Sequence, residues 1–457
     1  MNNVKTKDSG DFSKGPVWKR IMSLAIPMTI AQAVQVLYNV VDRIYLGHLS
    51  GEDALALTGL GLTFPVITII MAFTLLYSTG GVPLFSISRG AKDERKAELI
   101  LGNTFTLIVT TAGVLMIFFY LSMEKVLYLF GASPDTYPFA ASYLKIYLLG
   151  TLFSMVGTGM NGFINAQGHP KTAMVTSLFG AVLNIILDPI FIFLLHMGVT
   201  GAAVASVISQ LFSAAWVMRY LLSKDRAYRL KRASLKLKTS LVKDILSLGL
   251  AGFFMAATNS AVQIACNATL QGFGGDLFVG IMTILNSVRE IVVLPINGMS
   301  SGVQPVLGYN YGAKKYDRVR SAIKFTTLLG VTYSLISWIV VFIFPGFFLQ
   351  IFTSDPATIS EGIPALHIYF FGFFMMAFQF VGQNVFTGLG QSRYAVFFSI
   401  LRKLIIVVPL TVLLPHLGFG VMGVFLAEPI SNAIGGTACY TTMLIHTKKL
   451  LKEEDKP

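Results

Sequence analysis

The sequence predicts an all-α membrane protein in which twelve transmembrane helices form two pseudo-symmetric six-helix lobes. Of the 457 residues, 54% are hydrophobic and only 12% are charged, whereas a soluble domain is usually about 25% charged. Twelve apolar stretches reach the roughly 20 residues that a helix needs to cross a bilayer. The two halves also resemble each other at a constant offset. Together these observations indicate a duplicated helical bundle whose solvent is lipid.

The apolar stretches define both the spans and the predicted domains. They centre near residues 21–46, 55–80, 101–122, 139–163, 173–195 and 201–222 in the first half, and 244–267, 278–306, 323–346, 364–387, 394–415 and 421–446 in the second. Transmembrane β-strands would be shorter and would alternate in polarity. The predicted domains are a tail (1–20), a lobe (21–222), a basic linker (223–243), a second lobe (244–446) and a final tail (447–457).

The internal repeat runs from about residue 80 to residue 210 of the first half. Gly90-Ala91-Lys92 returns as Gly312-Ala313-Lys314, which sets the offset at 222 residues. Because each half contains an even number of spans, both halves take the same orientation in the membrane. Such parallel repeats are related by an axis along the membrane normal, with a substrate path between them.

The distribution of basic residues predicts how the chain is inserted. With the N-terminus assigned to the cytoplasm, the tails and every second loop hold most of the 35 Lys and Arg residues, which is the pattern of cytoplasmic loops. Both termini are then cytoplasmic in a multi-pass protein of the cell membrane. This pattern explains the net charge of +13 without nucleic acid as a partner. The basic run Arg219–Lys243 either fixes topology or contacts anionic lipid headgroups.

Polar residues within the apolar spans are the candidates for function, because an ionisable group in a bilayer is costly. The first span carries Gln35, Tyr38, Asn39 and Asp42 at three- and four-residue steps, so they share one helix face. This polar face is typical of the wall of an aqueous cavity. The alternative is a buried helix contact in which Asp42 pairs with Arg43.

The fifth span carries a second set. Asn184 and Asp188 lie four residues apart and therefore on one face, and Pro189 follows directly. Proline lacks an N–H and clashes with the preceding turn, so a kink is expected beside the carboxylate. The arrangement suits a cation or a proton, although Asp188 could simply bind a neighbouring helix. The equivalent positions of the second half are apolar, near Leu404 and Val408, so the repeat predicts ion coupling in the first half.

The second half has charges of its own. Arg289, Glu290, Arg402 and Glu428 lie within spans, and Glu428 aligns with Ser206 of the first half. A mixed set of acids and bases indicates structural ion pairs, with participation in the substrate path as the alternative. Neutral amides at four-residue steps could line a cavity for varied ligands; they are Asn161 in the fourth span, Asn259 and Gln263 in the seventh, and Gln379 and Gln383 in the tenth.

Patterns of enzymes and of metal centres are missing from the sequence. There is no Gly-x-x-x-x-Gly-Lys-Ser/Thr, no His-Glu-x-x-His and no Cys-x-x-Cys. We therefore expect a non-enzymatic protein without a cofactor and without a metal beyond a possible Na⁺. Transport would draw on an ion gradient or on the gradient of the substrate.

These residues resemble the multidrug and toxic compound extrusion (MATE) transporters over essentially the whole chain, and within them the MepA-type bacterial multidrug exporters. Each fragment is short, but their order within a duplicated six-helix layout is specific. The fragments are Ile26-Pro27, Asp42, Asn184-x-x-x-Asp188-Pro189, Gly201–Ser206, Pro295-x-x-Gly298, and Pro305-x-x-Gly308 through Ala313, the last repeated more loosely from Pro83 to Ala91.

The resemblance implies two six-helix lobes around a central cleft, and an antiporter that exports lipophilic, often cationic drug-like compounds in exchange for H⁺ or Na⁺. It also implies a cation or proton site made by Asp42, Asn184, Asp188 and Ser206, where the family usually has Thr at the last position. Similar folds also act as flippases for lipid-linked saccharides, which would favour a cationic cleft. A channel or receptor is a third possibility that the repeated halves and paired carboxylates disfavour. The sequence does not determine the oligomeric state.

Overall fold

The fold is that of a computed structural model which describes residues 10–47, 60–130 and 132–453, with the side chains of residues 38–47, 276 and 453 outside the description. Within these ranges all regular secondary structure is helical. The N-terminal half contains α1 (Val17–Gly47), α2 (Phe64–Gly90), α3 (Glu94–Leu129), α4 (Tyr137–Leu149), α5 (Thr151–Ala166), α6 (Pro170–Pro189) with a π-helical turn (Ile190–Leu194), and α7 (Gly198–Leu222).

The C-terminal half repeats this order. It contains α8 (Thr239–Gly275), α9 (Leu277–Gly312), α10 (Tyr316–Ile343), the short α11 (Pro345–Gln350), α12 (Pro356–Tyr369), α13 (Met375–Gly388), α14 (Ser392–Phe419) and α15 (Met422–Glu453). The break between α8 and α9 falls at Gly275, which has a φ of 64°. Two π-helical segments interrupt α14, at Leu401–Val407 and Pro415–Phe419.

The helices account for the predicted membrane spans. Nine described helices are long and apolar enough to cross a membrane, and α4 with α5, bent by 54°, makes a tenth. The pair α12 and α13 occupies the tenth predicted span, and α15 occupies the twelfth. The helices α12 and α13 have only 14 residues each, and α15 includes the buried Glu428. The all-α membrane fold is therefore confirmed, although the second span continues past residue 80 to Gly90.

The described residues of the chain form two compact units. The first, the N-unit, consists of Met1–Phe12 and Ile26–Gly249; the second, the C-unit, consists of Ser13–Ala25 and Leu250–Pro457. The start of α1 thus belongs with the helices of the second half, and the start of α8 with those of the first. Two glycines at equivalent positions of the repeat make these contacts possible.

Gly80 and Gly302 lie at equivalent positions of the repeat and let two backbones approach closely. A Cβ atom on Gly80 would lie 2.0 Å from the carbonyl oxygen of Ile245, at the start of α8. A Cβ atom on Gly302 would lie 2.8 Å from the carbonyl oxygen of Ile21, at the start of α1. The repeat in sequence is therefore also a repeat in helix packing within each unit.

Candidate functional site

A buried polar site, here called the N-unit site, is formed by Asn184 and Asp188 on α6 and by Ser206 on α7. The Nδ2 atom of Asn184 lies 3.3 Å from Oδ1 of Asp188 and 3.5 Å from Oγ of Ser206. The three residues are 2%, 0% and 4% exposed. Two neighbouring helices thus bring together a buried carboxylate, an amide and a hydroxyl.

The local sequence explains why these groups meet. Asn184 and Asp188 are one helical turn apart, so both point from the same face of α6 toward α7. Pro189 closes the α-helical part, and the π-helical turn Ile190–Leu194 follows, ending with a hydrogen bond from the N–H of Leu195 to the carbonyl oxygen of Ile190. Because π-helical turns are rare and occur often at functional sites, the distortion beside Asp188 makes this end of α6 a candidate functional site.

The N-unit site is suited to a cation or a proton. A buried carboxylate must be protonated, paired or coordinated, since an isolated charge is costly in a medium of low dielectric constant. Among the described residues, Oδ1 of Asn184 and the nearby buried Oγ of Ser209 have no hydrogen-bond partner. Oxygen atoms of carboxylate, amide and hydroxyl groups are the ligands that hard cations prefer.

Most of the candidate side chains on α1 lie outside the described residues. The backbone of α1 continues to Gly47, but the side chains of Tyr38, Asn39 and Asp42 lie outside the described residues. Gln35, one turn earlier than Asn39, is exposed. The grouping of Asp42 with Asn184, Asp188 and Ser206 therefore stays a prediction.

The amides that could line a cavity fall into two groups. Three of them bind neighbouring helices or turns: Nδ2 of Asn161 donates to the carbonyl oxygen of Ala173 (3.0 Å), Nε2 of Gln379 to that of Phe398 (3.2 Å), and Nε2 of Gln383 to Oγ of Ser399 (2.6 Å). Within this set, Asn259 and Gln263 on α8 are exposed, as Gln35 is on α1.

A second buried site, here called the C-unit cluster, consists of Arg289 on α9, Arg402 and Lys403 on α14, and Glu428 on α15. Oε1 of Glu428 lies 3.2 Å from Nη2 of Arg289, 3.1 Å from Nη1 of Arg402 and 3.3 Å from Nζ of Lys403. Glu290 is exposed and makes no ion pair with any residue that the structure describes. The predicted grouping of four charges thus meets at Glu428, without Glu290.

Sequence reasoning missed Lys403. The available signal was its position beside Arg402 in a strongly apolar span. Any cation within such a span is rare and is therefore a candidate for function. Hydrogen bonds extend the cluster on both sides. Nη1 of Arg402 donates to Oδ1 of Asn432 (2.7 Å), and Nη1 of Arg289 donates to the hydroxyl of Tyr369 (3.2 Å), which donates to Oδ1 of Asn286 (3.0 Å).

Comparison with known proteins identifies the family. The MatE family profile matches residues 27–190 and 252–413, once in each half of the chain. The chain belongs to the MATE family. The two matches coincide with the two halves of the repeat, so this assignment also confirms the duplicated six-helix organisation.

Curated relatives and solved structures agree with the MATE assignment. The multidrug export protein MepA of Staphylococcus saprophyticus is 26% identical over 93% of this chain and 92% of its own length, and MepA of Staphylococcus aureus strain N315 is 27% identical with the same coverage. A MATE crystal structure in complex with MaL6 superimposes with a TM-score of 0.92 at 24% identity, covering 98% of this chain and 100% of that one. An outward-facing structure of a multidrug resistance MATE transporter gives 0.91.

Proposed function

We propose that this MATE protein is a secondary active antiporter that exports lipophilic, often cationic drug-like compounds in exchange for H⁺ or Na⁺. Its relatives named MepA are multidrug export proteins that match almost the whole chain. The observation that carries the coupling part of the proposal is the N-unit site, in which Asp188 is fully buried beside Asn184 and Ser206. We also propose that the protein is a multi-pass component of the cell membrane with both termini in the cytoplasm.

The coupling step follows from the chemistry of a buried carboxylate. When Asp188 binds a proton or Na⁺, the charge in the low-dielectric interior is neutralised, and the preferred packing of α6 against α7 changes. The π-helical turn after Pro189 is the element of α6 that can respond, because its hydrogen bonds differ from those of a regular helix. Release of the cation on the other side of the membrane would restore the charged state. Asp42 is part of this proposal as a second carboxylate.

The proposal is tested with purified protein in liposomes. A proton gradient and a Na⁺ gradient are imposed separately, and the movement of a fluorescent lipophilic cation is followed. We expect one gradient to drive transport by the wild type, and Asp188→Asn to abolish that response. Asp317→Asn is the matched control, because the side chain of Asp317 is 95% exposed. Full gradient-driven transport by Asp188→Asn, at the same protein level, would contradict the proposal.

The flippase alternative has one feature in its favour, the three cations of the C-unit cluster. A diphosphate would need several of them free at once, but all three contact Glu428. Proteoliposomes that translocate a lipid-linked diphosphate sugar, without moving the fluorescent cation, would favour the flippase over the antiporter.

A further inference from the structure

The C-unit cluster carries more positive than negative charge. Arg289, Arg402 and Lys403 all approach the single carboxylate of Glu428 within 3.3 Å. The side chains of Arg402, Lys403 and Glu428 are 10%, 6% and 6% exposed. Among the described residues of the C-unit, no other acid contacts these three cations. One carboxylate therefore serves two guanidinium groups, which stay charged, as well as the amine of Lys403. Positive charge is left uncompensated, and that is costly in an interior of low dielectric constant.

The cluster also has more hydrogen-bond donors than acceptors. Two guanidinium groups and one ammonium group present roughly thirteen N–H donors. The acceptors within reach are the carboxylate of Glu428, the Oδ1 atom of Asn432 and the hydroxyl of Tyr369. Oε1 of Glu428 receives all three cations, whereas Oε2 receives only Lys403, at 3.4 Å. A bound anion would correct both imbalances, because it adds negative charge and accepts hydrogen bonds.

Arg289 is the most exposed cation of the cluster. The side chain of Arg289 is 22% exposed, about twice the exposure of Arg402 and well above that of Lys403. Nη2 of Arg289 binds Glu428, while its Nη1 donates to Tyr369. A small anion could therefore reach Arg289 first and share its guanidinium group with Glu428.

The repeat relates the helix pairs that carry the two sites. Glu428 is separated from Ser206 by 222 residues, the offset of the duplication, so the two clusters occupy equivalent helix pairs, α6 with α7 and α14 with α15. In the N-unit this pair presents oxygen atoms around one acid. In the C-unit it presents guanidinium and ammonium groups around one acid. The equivalent helix pairs thus differ in net charge, although the charged residues themselves do not align, since the positions near Leu404 and Val408 that correspond to Asn184 and Asp188 are apolar.

We propose that the C-unit cluster binds a compact monovalent anion, either chloride or the carboxylate of a small organic acid. The anion contacts the exposed part of Arg289 and balances part of the excess positive charge of the cluster. This site is separate from the N-unit site, and the proposal does not depend on drug export.

The test measures thermal unfolding of the purified full-length protein in detergent, at constant ionic strength, as isethionate is replaced by chloride, acetate or benzoate. We expect the wild type to show a saturable rise of several degrees with at least one of these anions. A response to chloride alone identifies a halide site, and a response to acetate or benzoate identifies a carboxylate site. Arg289→Gln should raise the half-saturating concentration at least tenfold, whereas Arg289→Lys should keep most of the response.

Two further variants make the test decisive. Arg393→Gln is the matched control, because Arg393 lies on the same helix as Arg402 but is exposed; its response should equal that of the wild type. Glu428→Gln should lose stability in isethionate and regain part of it in the active anion, which replaces the missing charge. No saturable response in the wild type, or an unchanged response in Arg289→Gln, would overturn the proposal.

Discussion

Lys92 and Lys314, 222 positions apart, end equivalent helices in the same unusual backbone conformation. Their φ angles are 59° and 56°, in the left-handed region. The N–H of Lys92 donates to the carbonyl oxygen of Arg89, and the N–H of the following Asp93 to that of Ser88; Lys314 and Lys315 donate to Tyr311 and Asn310 in the same way. Both sites are Schellman motifs with lysine where glycine is usual. The duplication has preserved a strained helix end in both halves.

We predict that Lys92→Gly and Lys314→Gly each stabilise the protein. A non-glycine residue in the left-handed conformation costs about 1–2 kcal/mol of steric strain, which glycine removes. Glycine also increases the conformational entropy of the unfolded chain, and this offsets part of the gain. The expected gain is about 0.5–1 kcal/mol per site, measured as an increase in the midpoint of thermal unfolding. Ala91→Gly is the matched control. Ala91 has a φ of −71°, so its variant should be destabilised, and an equal gain there would refute the explanation.

We predict that Gly80→Ala and Gly302→Ala are among the most destabilising single methyl additions in the chain. The new Cβ atom would meet backbone atoms of Ile245 or of Ile21, and backbone cannot move aside as a flexible side chain can. Overpacking of this kind costs about 1–3 kcal/mol. Thermal unfolding of both variants checks the prediction.

Gly113→Ala serves as the control for these two glycines. Gly113 lies inside α3, and a Cβ atom there would meet nothing within 4 Å. Its replacement should be neutral or slightly stabilising, because alanine is the better helix former by about 0.5–1 kcal/mol. If all three variants behaved alike, the close approach of the helix starts would not be a determinant of stability.

The sequence was sufficient to predict the helical membrane fold, since hydrophobic length and the repeat depend only on residue type. It also predicted that Asn184 and Asp188 share one helix face, because helical geometry is local. The partner of Arg402 was harder to predict. Glu428 could be proposed from its charge, but Glu290, equally charged, proved to be exposed, because the side of α9 that is buried depends on tertiary packing. The contacts made through Gly80 required the arrangement of α2 and α8, which no local pattern encodes.

We predict that two substitutions in the C-unit cluster have very different effects on stability. Glu428→Gln should destabilise the protein by about 3–5 kcal/mol, because removing one partner leaves buried charges uncompensated. Lys403→Met should change stability by less than about 1 kcal/mol, since it removes one of the excess cations and retains an apolar stem of similar size. Comparing their thermal unfolding in isethionate tests the asymmetry. Equal losses for both variants would mean that the charge excess has no energetic consequence.

The final prediction concerns His169, which lies between α5 and α6 outside the membrane-spanning helices. Its Nδ1 atom lies 2.8 Å from the hydroxyl of Tyr220, and its Nε2 atom lies 3.4 Å from Nη1 of Arg226. Burial, together with the positive charges of Arg226 and Arg89, lowers the pKa of His169 below its ordinary value of 6.5. The folded protein therefore holds the imidazole in its neutral form more strongly than the unfolded chain does.

This shift has a definite sign in the pH dependence of stability. Above pH 6.5 the imidazole is neutral in both states, so the shift has no effect on the free energy of unfolding. As the pH falls below 6.5, the unfolded chain binds the proton first, and the folded state loses stability until its own lower pKa is passed. Thermal unfolding between pH 8 and pH 5 should thus show a smaller decrease for His169→Asn than for the wild type. His196→Asn, at an exposed position, should follow the wild type; identical pH profiles for all three proteins would show that His169 does not contribute to acid sensitivity.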